Sequence, residues 1–233
     1  MLRVDKLSKT YGRTRALDSV GFAADAGRVT AVVGPNGAGK TTLFSILAGI
    51  IEPDSGECSL DGLSRRGWRR GEVGYVAADP FFYDRLTGYQ TLSFERTMRR
   101  IDLSDDRVRE QLIEWDAREF SGQPMGSLSL GMRKRILLAC AFLGDPKLVI
   151  LDEPLNGLDI QGVLLLKDRL TQARRVGSHV LMCSHLLDFV QDHADKTIFL
   201  SGGRVVKELD STDGSLESAY RREFMEPQAG SET

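Results

Sequence analysis

The sequence predicts an α/β fold built on a parallel sheet. Three features support this prediction: a fully apolar, β-branched run at Val29–Val33, a glycine-rich loop directly after it, and a second half in which apolar strands alternate with helices. A continuous apolar strand is typical of a sheet covered on both faces. Strands that alternate with helices favour parallel pairing, because each parallel crossover needs a connection of about helix length.

The composition is that of an ordinary globular protein. The 233 residues include 31 Lys+Arg and 33 Asp+Glu, a net charge of −2, and 41% are hydrophobic. Such a balance argues against binding nucleic acid through bulk charge. The three cysteines are scattered and form no C-x-x-C pair, which excludes a disulfide framework and favours a reducing compartment.

No targeting or membrane segment is expected. The N-terminal residues lack the apolar core of a signal peptide. The longest apolar run, at residues 136–143, is far shorter than the ~20 residues that a membrane-spanning helix needs. We therefore expect a cytoplasmic chain whose membrane role, if it has one, comes through a partner.

The first third of the chain is β-rich. Leu2, Val4 and Leu7 alternate with polar residues, as in a half-buried strand. In chain order, the elements expected here are a strand at 2–7, a strand at 29–33, a helix at 42–48, a turn at 53–56 and the start of a hairpin at 58–62.

The middle of the chain changes character. Residues 80–125 are polar, rich in arginine and composed of good helix formers, which predicts a helical insert on the α/β body. Seven apolar side chains of this insert are expected to face inward: Leu92, Phe94, Met98, Val108, Leu112, Ile113 and Trp115.

After the insert the α/β alternation resumes. The expected elements are helices at 132–143, 163–174 and 186–193, and strands at 148–151, 179–183, 197–200 and 204–209. The polar tail from Glu226 onward is expected to be disordered.

Residues 34–41, GPNGAGKT, match the complete phosphate-loop pattern G-x-x-x-x-G-K-[ST]. The glycines let successive backbone N–H groups converge on phosphate oxygens, and the following helix adds its positive N-terminal end. Lys40 would reach the β- and γ-phosphates, and the Thr41 hydroxyl would ligate Mg²⁺. The predicted nucleotide-binding residues are Gly34, Pro35, Asn36, Gly37, Ala38, Gly39, Lys40, Thr41 and Thr42.

A second motif, LVILDEP, occupies residues 148–154. Its apolar strand delivers Asp152 and Glu153 at the carboxyl end, where ligands bind in open α/β sheets. Asp152 suits a Mg²⁺ carboxylate, and Glu153 would orient, or take a proton from, an attacking water. The alternative is a surface acidic pair, which the upstream phosphate loop makes the weaker interpretation.

Between these motifs lies the segment SLSLGM, residues 127–132, ahead of a helix. The order of the three motifs resembles the ATP-binding subunit of ABC transporters, whose signature is usually LSGGQ. The resemblance covers residues 2–209. It implies a P-loop NTPase core with an N-terminal antiparallel β subdomain and an inserted α-helical subdomain. The implied divisions are a single domain at 1–225, its core at 1–78 and 132–210, the helical subdomain at 79–131 and the disordered tail at 226–233.

The resemblance also implies roles for three single residues. Tyr11 would stack on adenine, and His185 would lie near the γ-phosphate of ATP. Asp159, in the sequence NGLD, would belong to the loop that couples two subunits.

By the same resemblance, the subunit works in a head-to-tail pair, as a homodimer or a heterodimer with a related subunit. Ser129 and Gly131 of one subunit would contact the ATP bound by the other. ATP binding would close the pair, and hydrolysis by a water near Glu153 would open it.

Two positions depart from the family pattern. Ala78 stands where the family usually has a glutamine that helps bind Mg²⁺ and links the site to the membrane subunit. Asp79, beside it, is an alternative source of an oxygen ligand. In the signature, Leu130 replaces a glycine and Met132 a glutamine, while Ser129 and Gly131 remain. We therefore expect slow hydrolysis.

The compact length and the EPLNGLD run resemble subunits that pair with separate six-helix permeases of the ABC-2 exporter type. This implies a peripheral location on the inner face of the cell membrane. Phe81, Phe82 and Tyr83 would either dock the permease or form a core cluster of the helical insert. The basic residues at 65–70 would either face anionic headgroups or form a solvated hairpin loop.

Three other functions are alternatives to this prediction. They are a non-transport ABC ATPase acting on DNA or ribosomes, a kinase that shares only the phosphate loop, and a regulatory module that binds ATP but scarcely hydrolyses it.

Overall fold

The computed structural model describes residues 1–226, in which it places ten strands and seven α-helices. The strands are β1 (Leu2–Tyr11), β2 (Thr14–Ala24), β3 (Val29–Val33), β4 (Ser55–Leu60), β5 (Leu63–Ser64), β6 (Val73–Val76), β7 (Leu148–Asp152), β8 (His179–Cys183), β9 (Lys196–Ser201) and β10 (Arg204–Asp210). The helices are α1 (Lys40–Leu47), α2 (Gly88–Met98), α3 (Asp105–Glu114), α4 (Leu130–Ala141), α5 (Ile160–Arg175), α6 (Leu187–His193) and α7 (Leu216–Phe224).

The strands form two sheets. The larger has the order β10-β9-β3-β8-β7-β6 and is parallel except for β10, which pairs antiparallel with β9. The smaller is antiparallel, with the order β2-β1-β4-β5. The order of the larger sheet brings the carboxyl ends of β3, β7 and β8 side by side, and these ends carry the predicted site residues.

The larger sheet is covered on both faces, which explains its continuous apolar strands. Every residue of β3, β7 and β8 is buried. One apolar cluster joins this sheet to α1 and the smaller sheet, and a second joins it to the helices on the opposite face. The predicted α/β class, with an antiparallel sheet at the N-terminus and a helical insert, is confirmed.

Element boundaries differ from the sequence prediction in understandable ways. β1 continues to Tyr11, and β2 and β6, which were not predicted as separate strands, complete the two sheets. α4 begins at Leu130 instead of residue 132, because the Ser129 hydroxyl accepts a hydrogen bond from the Met132 N–H and caps the helix. The tail predicted to be disordered lies, from residue 227, outside the described residues.

The predicted inward positions of the helical insert are partly wrong. Four are buried as expected: Leu92, Val108, Leu112 and Trp115. Phe94, Met98 and Ile113 are instead 38%, 49% and 51% exposed. α2 buries a narrow stripe through Gly88, Thr91 and Leu92, and Phe94 and Met98 lie outside this stripe. Phe94 packs edge-on against Tyr83.

Candidate nucleotide site

The loop between β3 and α1 is shaped by glycines at positions where no side chain fits. Gly39 has φ +104°, and a Cβ there would lie 2.4 Å from the carbonyl oxygen of Ala16. At Gly34, a Cβ would lie 2.0 Å from the carbonyl oxygen of Leu200. The backbones of β2 and β9 therefore pack directly against the loop, and α1 begins at Lys40 with its N-terminus facing the loop.

Lys40 folds back across this loop. Its ammonium donates hydrogen bonds to the carbonyl oxygens of Gly34, at 2.8 Å, and Pro35, at 3.0 Å. The half-buried charge therefore lies over the mouth of the loop. A phosphate bound there would supply charged acceptors in place of these neutral carbonyls.

A cavity of about 410 Å³ opens over the phosphate loop. It brings together predicted residues that lie more than a hundred positions apart in the sequence. Its walls are residues 36–42 together with Thr14, Arg15, Ala16, Ala78, Asp152, Glu153 and His185. The first residues of β2, Thr14 to Ala16, were not predicted as part of the site, because only the sheet topology carries them beside the loop.

Asp152 ends β7 at the floor of this cavity and is 1% exposed. The Cys183 thiol donates to its Oδ1 at 2.7 Å, while Oδ2 has no hydrogen-bond partner among the described residues. Burial, and then the charge of Asp152, raises the pKa of this thiol. Cys183 was not predicted as a site residue.

The residues present fit Mg²⁺. The Thr41 hydroxyl and the unpartnered Oδ2 of Asp152 both belong to residues that line the cavity, and they are the hard oxygen donors that this ion prefers. Ala78 also lines the cavity but offers no side-chain oxygen. The protein would therefore supply two oxygen ligands to such an ion, and phosphate and water oxygens would complete the shell.

Glu153 is held in an uncommon conformation. Its φ is +49°, and its side chain is almost fully buried. The His185 backbone N–H donates to its Oε2 at 3.3 Å, and His185 Nε2 lies 3.1 Å from its Oε1. Such strained backbone is typical of functional sites, and here it turns the carboxylate into the cavity beside His185.

The predicted signature residues stand apart from this cavity. Ser129 caps α4, and Gly131 packs so closely on the loop after β7 that a Cβ would lie 3.0 Å from the Gly157 oxygen. Leu130 is 62% exposed. Neither Ser129 nor Gly131 belongs to the cavity wall. These two residues therefore do not line the cavity in which this chain's own phosphate loop lies.

Asp159 likewise lies outside the cavity and ties two helices together. Its carboxylate caps α5 through the Gly162 N–H at 2.8 Å, and the Arg135 guanidinium of α4 donates to both of its oxygens, at 2.7 and 2.6 Å. The Arg135 hydrogen bond lowers the pKa of Asp159. Arg135 also bonds Asp116, at 3.0 Å. This clamp was not predicted from the sequence.

Tyr11, the residue predicted to stack on adenine, lies outside the nucleotide cavity. It ends β1, is 46% exposed and has the Lys9 amine 5.7 Å from its ring centre. It lies beyond the cavity wall described above. Stacking on adenine therefore remains a prediction.

A second cavity, of about 670 Å³, lies between the core and the helical segment and shares Thr41 and Ala78 with the first. Phe81, on its wall, is 81% exposed. Glu95 and Arg99 also line it, and burial raises the pKa of the Glu95 carboxyl. The wall of this groove therefore carries an exposed aromatic ring together with one acidic and one basic side chain.

The aromatic triplet after Ala78 is partly exposed and partly packed against the core. Phe81 and Tyr83 are exposed and pack edge-on at 5.2 Å. Phe82 is half-buried against the core, with the Arg133 guanidinium 5.0 Å from its ring centre. In the basic stretch, Arg65 pairs with Glu52 and Trp68 donates to the Leu63 oxygen at 2.9 Å, as in a structured hairpin loop.

Comparison with known proteins agrees with the site. The sequence pattern of the family described as ABC transporter matches residues 17–156. A lantibiotic transport ATP-binding protein, SrtF of Streptococcus pyogenes, is 32% identical over 97% of this chain and 98% of its own length. SkfE of Bacillus subtilis, an ATP-binding protein of SkfA peptide export, is 30% identical over 97% of this chain and 95% of its own.

A solved structure of the ATP-binding subunit of an ABC transporter has the same fold. It superposes with a TM-score of 0.82 and 30% identity, covering 96% of this chain and 93% of that one. Within residues 1–226, no helix combines the length and the apolar character needed to cross a membrane. The chain therefore belongs to the ABC transporter family, in which it is an ATP-binding and ATP-hydrolysing subunit.

Proposed function

We propose that this chain powers a separate membrane permease by binding and hydrolysing MgATP between two ATP-binding subunits. The observation that carries the proposal is the cavity in which the phosphate loop, Asp152, Glu153 and His185 converge. These groups are the ones that phosphoryl transfer to water requires: a cradle for phosphates, a metal carboxylate and a base beside the γ-phosphate position.

Within the cavity, each group has a distinct task. The backbone N–H groups of residues 36–42 and the Lys40 ammonium hold the phosphates of ATP. Glu153, aimed into the cavity by its backbone, orients the attacking water and takes its proton. His185, in contact with both Glu153 oxygens through its backbone and ring, keeps that carboxylate in place.

Thr41 and Asp152 would hold Mg²⁺, which neutralises charge on the phosphate oxygens when bound. Because Ala78 adds no ligand, we expect hydrolysis to be slow relative to a subunit with glutamine at this position.

The working unit is a pair of subunits. Ser129 and Gly131 lie at the N-terminus of α4 and outside this chain's own cavity. From there they would contact the ATP that a second subunit binds. ATP bound between the two subunits would hold them together, and loss of the γ-phosphate would let them separate. A second copy or a related subunit would fill the second place, and no nucleic acid is involved.

The groove beside Ala78 is the docking site for the permease. Exposed Phe81 and Tyr83 offer apolar surface at its rim, and its volume of about 670 Å³ accommodates part of a helix. The chain would then sit peripherally on the inner face of the cell membrane. The names of two relatives, in lantibiotic transport and peptide export, favour export of a peptide.

A Glu153→Gln variant tests the pairing. Glutamine keeps the shape of the side chain but cannot accept the proton of the attacking water, so ATP should remain bound and the pair closed. Size-exclusion chromatography with light scattering should show twice the monomer mass in MgATP and the monomer without nucleotide. A Lys40→Ala, Glu153→Gln double variant, unable to hold ATP, is the matched control and should stay monomeric. A monomer of the single variant under saturating MgATP would contradict pairing between two copies.

Docking is tested separately with Phe81→Ser. Removing the exposed ring should release the subunit from membranes containing its permease and leave ATP affinity unchanged, because Phe81 lies outside the nucleotide cavity. Ile113→Ser, which removes another exposed apolar side chain, from α3, is the control and should stay bound. Equal retention of both variants on the membrane would exclude this groove as the docking site.

A further inference from the structure

The end of β8 lies directly against the two site carboxylates. In the parallel pairing of β7 with β8, Cys183 is the register partner of Asp152. The Glu153 N–H donates to the Cys183 carbonyl oxygen at 3.2 Å, so the pairing continues one residue past the end of β7. Cys183 is fully buried. Its side chain is therefore fixed in place beside the floor of the nucleotide cavity.

The Cys183 thiol is the hydrogen-bond donor that holds the Asp152 carboxylate. Sγ lies 2.7 Å from Asp152 Oδ1 and 3.8 Å from Glu153 Oε1. The other oxygen of Asp152, Oδ2, has no partner in the part of the chain that the structure describes, although the residue is 99% buried. A carboxylate rotates easily about its terminal bond, whose energy wells are broad. The thiol thus decides which oxygen is engaged and which is free.

We propose that Cys183 is a positioning residue, whose thiol fixes Oδ1 of Asp152 so that Oδ2 is presented to the divalent cation that accompanies ATP. The inference rests on the proposed Mg²⁺ site. Hydrogen-bond partners of metal-binding carboxylates orient those ligands, and losing one typically weakens metal binding or activity about 10- to 100-fold.

A cysteine in a buried apolar cluster can also serve only as a small hydrophobic side chain. The two roles make opposite predictions for two substitutions. If Cys183 only fills space, Cys183→Val should be tolerated and Cys183→Ser should be the more harmful change. If the thiol positions Asp152, serine restores a donor and preserves metal binding, whereas valine and alanine remove the donor and lose it.

The experiment measures divalent cation affinity directly, with Mn²⁺ as the probe. Mn²⁺ is titrated into the full-length protein saturated with a non-hydrolysable ATP analogue, and free Mn²⁺ is followed by electron paramagnetic resonance. The dissociation constant should rise about 10-fold or more in Cys183→Ala and Cys183→Val, and stay within about threefold of wild type in Cys183→Ser. Cys58→Ala, which removes another buried thiol of the same apolar cluster, should not change it.

Each result is decisive. Wild-type affinity in Cys183→Val, or equal losses in Cys183→Ser and Cys183→Ala, would overturn the positioning role and leave the metal site intact. Failure of the wild-type protein to bind Mn²⁺ with the analogue would instead overturn the proposed site on which the inference rests. Affinity for the analogue in the presence of a chelator should be the same in all variants, which separates a metal effect from misfolding.

Discussion

The clamp formed by Arg135 gives an asymmetric stability prediction. Its guanidinium is 6% exposed, whereas its two partners, the carboxylates of Asp116 and Asp159, are 57% and 59% exposed. Removing one partner leaves a buried cation with less compensation, while removing the cation leaves two carboxylates that water can solvate. We therefore expect Asp159→Asn to destabilise the protein more than Arg135→Met does.

The structure sets the magnitudes. Breaking a buried ion pair by removing one partner costs about 3–5 kcal/mol. Asp116 still faces Arg135 after Asp159→Asn, and asparagine still accepts from the Gly162 N–H and caps α5, so we expect about 2 kcal/mol. Arg135→Met also removes a buried Nε that has no partner among residues 1–226, and should cost about 1 kcal/mol or less.

Thermal unfolding measures the difference. In a protein of this size, 1 kcal/mol corresponds to a midpoint shift of about 2–4 °C. Asp159→Asn should therefore lower the midpoint by about 4–8 °C, and Arg135→Met by no more than about 4 °C. Asp168→Asn, at an exposed position of α5, is the control and should shift it by about 1–2 °C at most. A larger loss for Arg135→Met than for Asp159→Asn would refute the argument from burial.

Three further predictions concern the nucleotide site and the pH dependence of stability. Lys40→Ala should weaken ATP binding at least ~100-fold in calorimetric titrations, because two charge-assisted phosphate contacts are lost; unchanged affinity would contradict this role. Ala78→Gln should raise ATP turnover if the missing amide limits it, whereas no change or a fall would indicate a site rebuilt around Asp79. Burial, and then the N-terminal amine, lowers the pKa of His179 below its usual 6.5, so its stabilising contribution is present above pH 6.5 and is lost as the pH falls. The unfolding midpoint of His179→Leu should therefore fall less between pH 7.5 and 5.5 than that of wild type, and equal falls would argue against this histidine.

The parts of the site that sequence reasoning reached are those encoded locally. The phosphate loop and the Asp152–Glu153 pair each follow an apolar strand, and a parallel sheet brings such strand ends together, so their meeting in one cavity was predictable. Cys183 and Arg15 were missed for the opposite reason. Cys183 reaches Asp152 only through the register of β7 with β8, and Arg15 reaches the cavity only because β2 passes beside the loop.

The same distinction explains the errors in the helical insert. Apolar residues in a helical segment predict burial only when the buried face is known, and α2 and α3 each bury a narrow stripe. One of the exposed apolar side chains has a defined packing partner. Phe94 packs on Tyr83, and Tyr83 on Phe81 of the groove wall, so a side chain expected in the core instead belongs to an exposed aromatic cluster beside the groove.

The two cavities meet at Thr41 and Ala78, which suggests how events at one reach the other. Alanine at position 78 offers no side-chain amide between the groove and the cavity, so a partner in the groove would act on the nucleotide mainly by moving the backbone there. The segment after β6 is the backbone in question, since it contributes Ala77 and Ala78 to the groove wall and Ala78 to the cavity. A displacement there changes the space beside Thr41, a proposed Mg²⁺ ligand. Coupling in this subunit should therefore depend on the stiffness of that short segment rather than on any single polar contact.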